Sequence, residues 1–172
     1  MEALSAWMTT LGLATFVNDH GWVWPVCEIF HFVGMSILVG CIGVLDLRML
    51  GFFKGLSMGV LERLVPLGLV GFAFNFISGF IFVAGNAAGS PLDYLNNLSF
   101  QLKMICIFIA GLNALAFYVF GVARALANAG PDADATSGGK LIAVSSIVLW
   151  LAVIFFGRLI MYNDTLLYAL GM

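Results

Sequence analysis

Four apolar runs, at about 22–45, 61–84, 100–122 and 141–162, set the tightest limit on what this chain can fold into. Each reaches the ~18–20 residues that a helix needs to cross ~30 Å of hydrocarbon. In lipid a helix has the further merit of satisfying its backbone N–H and C=O groups within one segment. Composition agrees with this reading. Of the 172 residues 62% are hydrophobic and 9% charged, and a mean hydropathy of +1.07 leaves too little polar surface for a water-soluble domain. The expected fold is all-α: a polytopic membrane protein forming one domain over 1–172, a four-transmembrane-helix bundle.

Residues 1–20 add a short interfacial helix. Leu4, Trp7, Met8, Leu11 and Ala14 recur at helical spacing, and the polar run Asn18–Asp19–His20–Gly21 ends them, which makes His20 a solvated interfacial residue. The segment has neither the positive n-region nor the small-residue cleavage site of a secretory signal. Trp22, Trp24 and Pro25 then open the first span as an aromatic belt and a first helical turn. Pro66 stands near the start of the second span, where it would kink a helix. The second connection is polar and rich in turn formers, and the third has the least order-promoting composition of the chain.

Five of the seven basic residues, Arg48, Lys54, Arg63, Arg124 and Lys140, fall in or beside the first and third connections. The positive-inside rule therefore expects a bacterial inner-membrane protein with those two connections in the cytoplasm and both termini in the periplasm. A net charge of −2 with no basic cluster argues against nucleic acid as a partner. Cys27, Cys41 and Cys106 all lie inside apolar runs, where thiols serve as small buried hydrophobes, so no disulfide framework is implied. The absence of a nucleotide loop, a serine nucleophile motif and zinc-ligand spacing gives hydrolytic or ATP-driven roles little support.

The polar residues inside the spans carry the functional signal. An acid or base at mid-depth costs roughly 2.5–3.5 kcal/mol on the insertion scale, so such groups usually face a partner or a cofactor. Glu28 and His31 lie three apart in the first span, on one helical face. Asn75 in the second span, Lys103 in the third and Arg158 in the fourth fall at similar depths, about 5–14 Å below the outer surface at ~1.5 Å per residue. An ionised Glu28 facing two protonated bases leaves one positive charge in excess, which suits an anionic ligand or haem propionates. His31 can bind a metal through one ring nitrogen while the other donates to a neighbour. Met35, Met104, Cys27 and Cys106 nearby keep copper open as an alternative. Two structural readings stand beside these: Lys103 and Arg158 snorkel to the headgroups, or Glu28 pairs with one of them to hold the bundle together.

The run His31-Phe-Val-Gly34, Leu38-Val-Gly40 and Leu45-Asp-Leu-Arg48, with Phe100-Gln-Leu-Lys103-Met in the third span, resembles the four-helix core of the bacterial CopD-like and HemJ-type membrane proteins. In the HemJ type, a histidine early in the first span and a lysine early in the third are associated with a b-type haem; the matching positions are His31 and Lys103. The chain departs from that pattern after Arg48, where Met49-Leu50-Gly51 follows in place of a histidine. The resemblance then implies a haem held by His31 alone, by His31 with an unprotonated Lys103, or by two histidines across a subunit interface. It points to a haem-b redox or electron-transfer protein with its site in the periplasmic half of the bilayer. The alternatives are a copper or small-solute transport protein and a structural or accessory subunit of a homo-oligomer or larger membrane complex. Strongly polar residues cluster in the outer half while the inner half offers mainly Asn113 and the mouth residues Asp46 and Arg48, an asymmetry that counts against a conducting path through one bundle.

Overall fold

The computed structural model describes residues 1–86, 88–128, 133–169 and 171. Among the described residues the chain is helical, with no strand. Residues 129–132 of the third connection, whose composition suggested least order, lie outside them. Four helical stretches are long and apolar enough to cross a membrane: Val23–Met49, Met58–Ala84, Leu98–Val119 and Ser137–Tyr162. Their outward faces carry large apolar side chains, such as Phe32, Phe76 and Phe108, each more than three-fifths exposed, a surface suited to lipid rather than water.

Where one short amino-terminal helix was expected there are two, α1 (Glu2–Thr10) and α2 (Leu13–Asp19). The break comes at Gly12, whose φ of +68° is a left-handed conformation that a residue with a Cβ rarely adopts. The first span, α3 (Val23–Met49), runs about one turn past the expected end because Leu45, Asp46, Arg48 and Met49 are all buried there. A short α4 (Met58–Leu61) and a 3₁₀ turn over Glu62–Leu64 lead into α5 (Val65–Ala84). Pro66 sits in the first turn of α5, where its missing N–H costs no intrahelical bond, and so it starts this helix instead of kinking it. In the second connection Ser90 and Asp93 form a capping box on α6 (Pro91–Leu95). Asn97 caps α7 (Leu98–Val119), and Thr136 caps α9 (Ser137–Leu159) through Gly139 N. Two short helices complete the chain, α8 (Val122–Asn128) before α9 and α10 (Asn163–Ala169) after it.

The four long helices pair as α3 with α5 and α7 with α9, and α3 against α9 joins the two pairs. The fourth side of a closed ring, α5 against α7, does not form along the helix lengths. Instead α1 and α6 cover one end of that flank, where Met8, Val83 and Ala84 cluster with Tyr94 and Phe100. The other end is closed by a core of Leu45, Met49, Met58, Leu61, Phe117, Ala123, Leu126, Ala135 and Ala143. The basic connections lie together at this second end, tied by a salt bridge of 3.0 Å between Lys54 and Asp134. Hydrogen bonding and charge from Lys54 hold the Asp134 carboxyl below its usual range. That contribution is present at neutral pH and fades as acidification takes the pH down through the folded-state value. Both side chains are about half exposed, so it is a small one.

Glycine sets the α3–α5 distance. A Cβ built on Gly68 would lie 3.4 Å from Cys41 Cβ across the interface, close to the ~3.5–4.5 Å of a disulfide. Gly68→Cys is therefore expected to cross-link to Cys41 under mild oxidation, seen as a linked peptide pair by mass spectrometry. Failure to link would show that α3 and α5 meet in another register.

Candidate functional site

His31 projects from α3 toward α5, where its Nδ1 lies 2.8 Å from Ser78 Oγ. Ser78 Oγ is also 2.5 Å from Phe74 O and 3.3 Å from Asn75 O. Carbonyls can only accept, so the single hydroxyl proton goes to the backbone and the serine oxygen accepts from His31 Nδ1–H. This assignment fixes the tautomer: Nε2 carries the lone pair. The ring is half-buried, packs at 5.4 Å against the Phe82 ring, and has its Cε1 over Gly79, which offers no side chain to push it away.

Lys103 is the second member. Its stem and Nζ run along Gly157 of α9, about 3.5–3.7 Å from where a Cβ would stand, so the small residue opens the path for the side chain. The Lys103 charge acts on the His31 ring. Among the described residues Lys103 makes no hydrogen bond or ion pair. His31 is thus approached by Ser78 from α5 and by cationic charge from α7, the two helices that leave their flank open.

The other three residues of the expected layer sit apart from this pair. Glu28 is exposed and accepts from Trp24 Nε1 at 3.1 Å, one turn back on its own helix. Arg158 is exposed as well, with its guanidinium 5.6 Å over the ring of Tyr162. Asn75 donates to Gly71 O at 3.0 Å and packs beside Gly34, so it belongs to the α3–α5 contact. Ser78 and Gly157 are the contributors the sequence reading lacked; a serine or glycine in an apolar helix gives no signal until the facing helix is known.

Comparison with protein-family models, curated proteins and solved structures finds no match. The chemistry therefore rests on these residues alone. Among the described residues no three His, Cys, Asp or Glu side chains gather to hold a metal ion. A bare metal needs three or four protein donors, which that set does not supply, whereas a haem brings four nitrogens and asks the protein for one. The donor here, an oriented imidazole with a free Nε2, fits the second demand.

Two cavities lie elsewhere. A polar cleft of about 380 Å³ at the terminal end is lined by Asp93, Asn97, Tyr162, Asn163 and Asp164 among others. A smaller apolar crevice of about 170 Å³ lies between α3 and α9.

Proposed function

We propose that the chain is a haem-b-binding redox or electron-transfer protein of the bacterial inner membrane, with both termini and the site on the periplasmic side. The observation that carries this reading is His31: its Nδ1–H is committed to Ser78, its Nε2 lone pair is free, and a cationic Lys103 acts on it from across an unpacked flank. Metal-bound histidines commonly donate their second ring nitrogen to a fixed acceptor, which orients the ring and raises its basicity. His31 would ligate the iron through Nε2 and Ser78 would hold the ring in place. Lys103 would supply positive charge for a propionate or, deprotonated, a second nitrogen ligand. Bound haem supplies one-electron chemistry.

The topology part of the proposal is supported by charge. Arg48, Lys54 and Lys140 lie at the end where the first and third connections meet, and His31 and Lys103 lie toward the opposite end. The one-donor geometry serves haem better than the copper alternative, which would have to recruit thioethers.

The test is optical. Protein expressed with adequate haem is expected to show a Soret band that His31→Ala loses. Ser78→Ala is expected to keep the band with haem affinity reduced roughly 10–100-fold, as for other groups behind a ligand. A wild-type protein that takes up no haem, or a His31→Ala variant that binds it as tightly, would overturn the reading.

A further inference from the structure

Two charged side chains in the outer half of the spans, Glu28 of α3 and Arg158 of α9, are exposed. Among the described residues neither makes an ion pair: Glu28 accepts from Trp24 Nε1, and Arg158 lies over the Tyr162 ring. A charge that faces hydrocarbon without a counter-charge is costly. Lipid relieves only one of the two. The long stem of Arg158 reaches the headgroups, whereas the Glu28 carboxylate, on two methylenes, would meet phosphates of its own sign. The two charges are nevertheless matched in position. They stand on helices that pack against each other. Successive spans alternate in direction, so the start of α3 is level with the end of the fourth span. Glu28 comes five residues after Val23 and Arg158 four before Tyr162, about 7.5 and 6 Å from one surface at ~1.5 Å per residue.

We propose that Glu28 and Arg158 form a docking surface for a second copy of the chain, the carboxylate of each copy pairing with the guanidinium of the other. Two copies inserted the same way are related by a two-fold axis along the membrane normal, and rotation about that axis keeps every residue at its depth. A charge can then be met only by an opposite charge at its own level, a condition that this pair satisfies. The interface is self-complementary, so both Glu28–Arg158 contacts form at once and no charge is left over. The surroundings favour the contact. Phe32, one turn from Glu28, and Phe155, one turn from Arg158, are 66% and 60% exposed, so the charges meet among apolar groups, where their attraction is weakly screened. The proposal does not depend on a haem at His31, which faces α5.

The experiment uses the full chain in phosphatidylcholine vesicles, with donor and acceptor dyes on the amino termini of separate pools and energy transfer followed as the protein-to-lipid ratio rises. Wild type is expected to associate saturably. Glu28→Arg and Arg158→Glu should each associate with itself about tenfold more weakly or worse, because like charges then face each other. Mixed together, the two variants should recover an affinity near that of wild type, since every contact between the two chains again joins opposite signs. An ion pair confined to one chain gives no such recovery. The double variant Glu28→Arg/Arg158→Glu should associate with itself as wild type does and exclude wild-type copies, an arm that decides the matter where a single reversal misfolds. Absence of saturable transfer in wild type would overturn the proposal. So would folded single variants that associate as wild type or stay apart when mixed, and a double variant that fails to self-associate or mixes freely with wild type.

Discussion

Replacing Arg48 with methionine is expected to destabilise the protein by about 2–5 kcal/mol, the cost of losing two part-buried hydrogen bonds from a buried charged donor. Arg48 is 1% exposed. Its Nε donates to Leu56 O at 2.9 Å and its Nη2 to Ala133 O at 3.1 Å, so one guanidinium holds the connection after α3 against the segment leading into α9. Its charge also acts on Asp134. Methionine matches much of the arginine stem's volume, so the loss isolates the donors rather than a cavity. Lysine should rescue little, because a compact ammonium on a flexible chain cannot reproduce a planar fork aimed at two fixed acceptors. Thermal unfolding of detergent-solubilised protein gives the magnitude. Faster tryptic cleavage near Lys54 and Arg63 would show that the connections have come loose. A variant that melts with wild type would mean that this guanidinium contributes no net stability.

Arg48 also shows where sequence reasoning stops. Charges near the end of an apolar run read as residues at the membrane mouth, and the run that ends at Leu50 carries two. Asp46 and Arg48 belong to the same run, but α3 continues past them and the inner core closes around them. Nothing in the local sequence announces this, because the acceptors are backbone atoms that any residue would supply, Leu56 O in the connection that follows and Ala133 O 85 residues along the chain. The long helices were legible because length and hydropathy alone decide whether a helix can span lipid. The site was legible only in part. Glu28 and His31 do share a face in the broad sense, about 60° apart around the helix. At that level α3 is packed mainly by α5, so 60° suffices to turn Glu28 outward while His31 meets Ser78. Depth along the normal, which the sequence gives, placed five polar residues in one slice; azimuth, which it gives poorly, separated Glu28 and Arg158 from the rest.

That azimuth is fixed by two glycines, and Gly34→Ala is expected to cost about 2 kcal/mol or more, in the range of overpacked interfaces. A Cβ on Gly34 would stand 2.7 Å from Gly71 O and 2.8 Å from Phe74 Cβ; one on Gly71 would stand 2.6 Å from Gly34 O and 2.9 Å from Leu38 N. The obstructing atoms include backbone on both sides, so no rotamer change relieves them and α3 must move off α5. Gly40 lies on the same helix and a Cβ there meets nothing within 4 Å, so Gly40→Ala should be neutral or raise stability by up to ~1 kcal/mol through helix propensity. The same chemical change on one helix thus acquires opposite signs, and thermal unfolding of the two variants side by side checks it. The Gly34 effect should also reach the site. Gly34 is one turn from His31 and Gly71 two turns from Ser78, so parting the helices lengthens the 2.8 Å contact that fixes the imidazole. Nitrogen NMR of the ring should then report a mixture of tautomers in Gly34→Ala where Gly40→Ala keeps the proton on Nδ1. If Gly34→Ala melts like Gly40→Ala and leaves the ring unchanged, close backbone approach is not what positions His31.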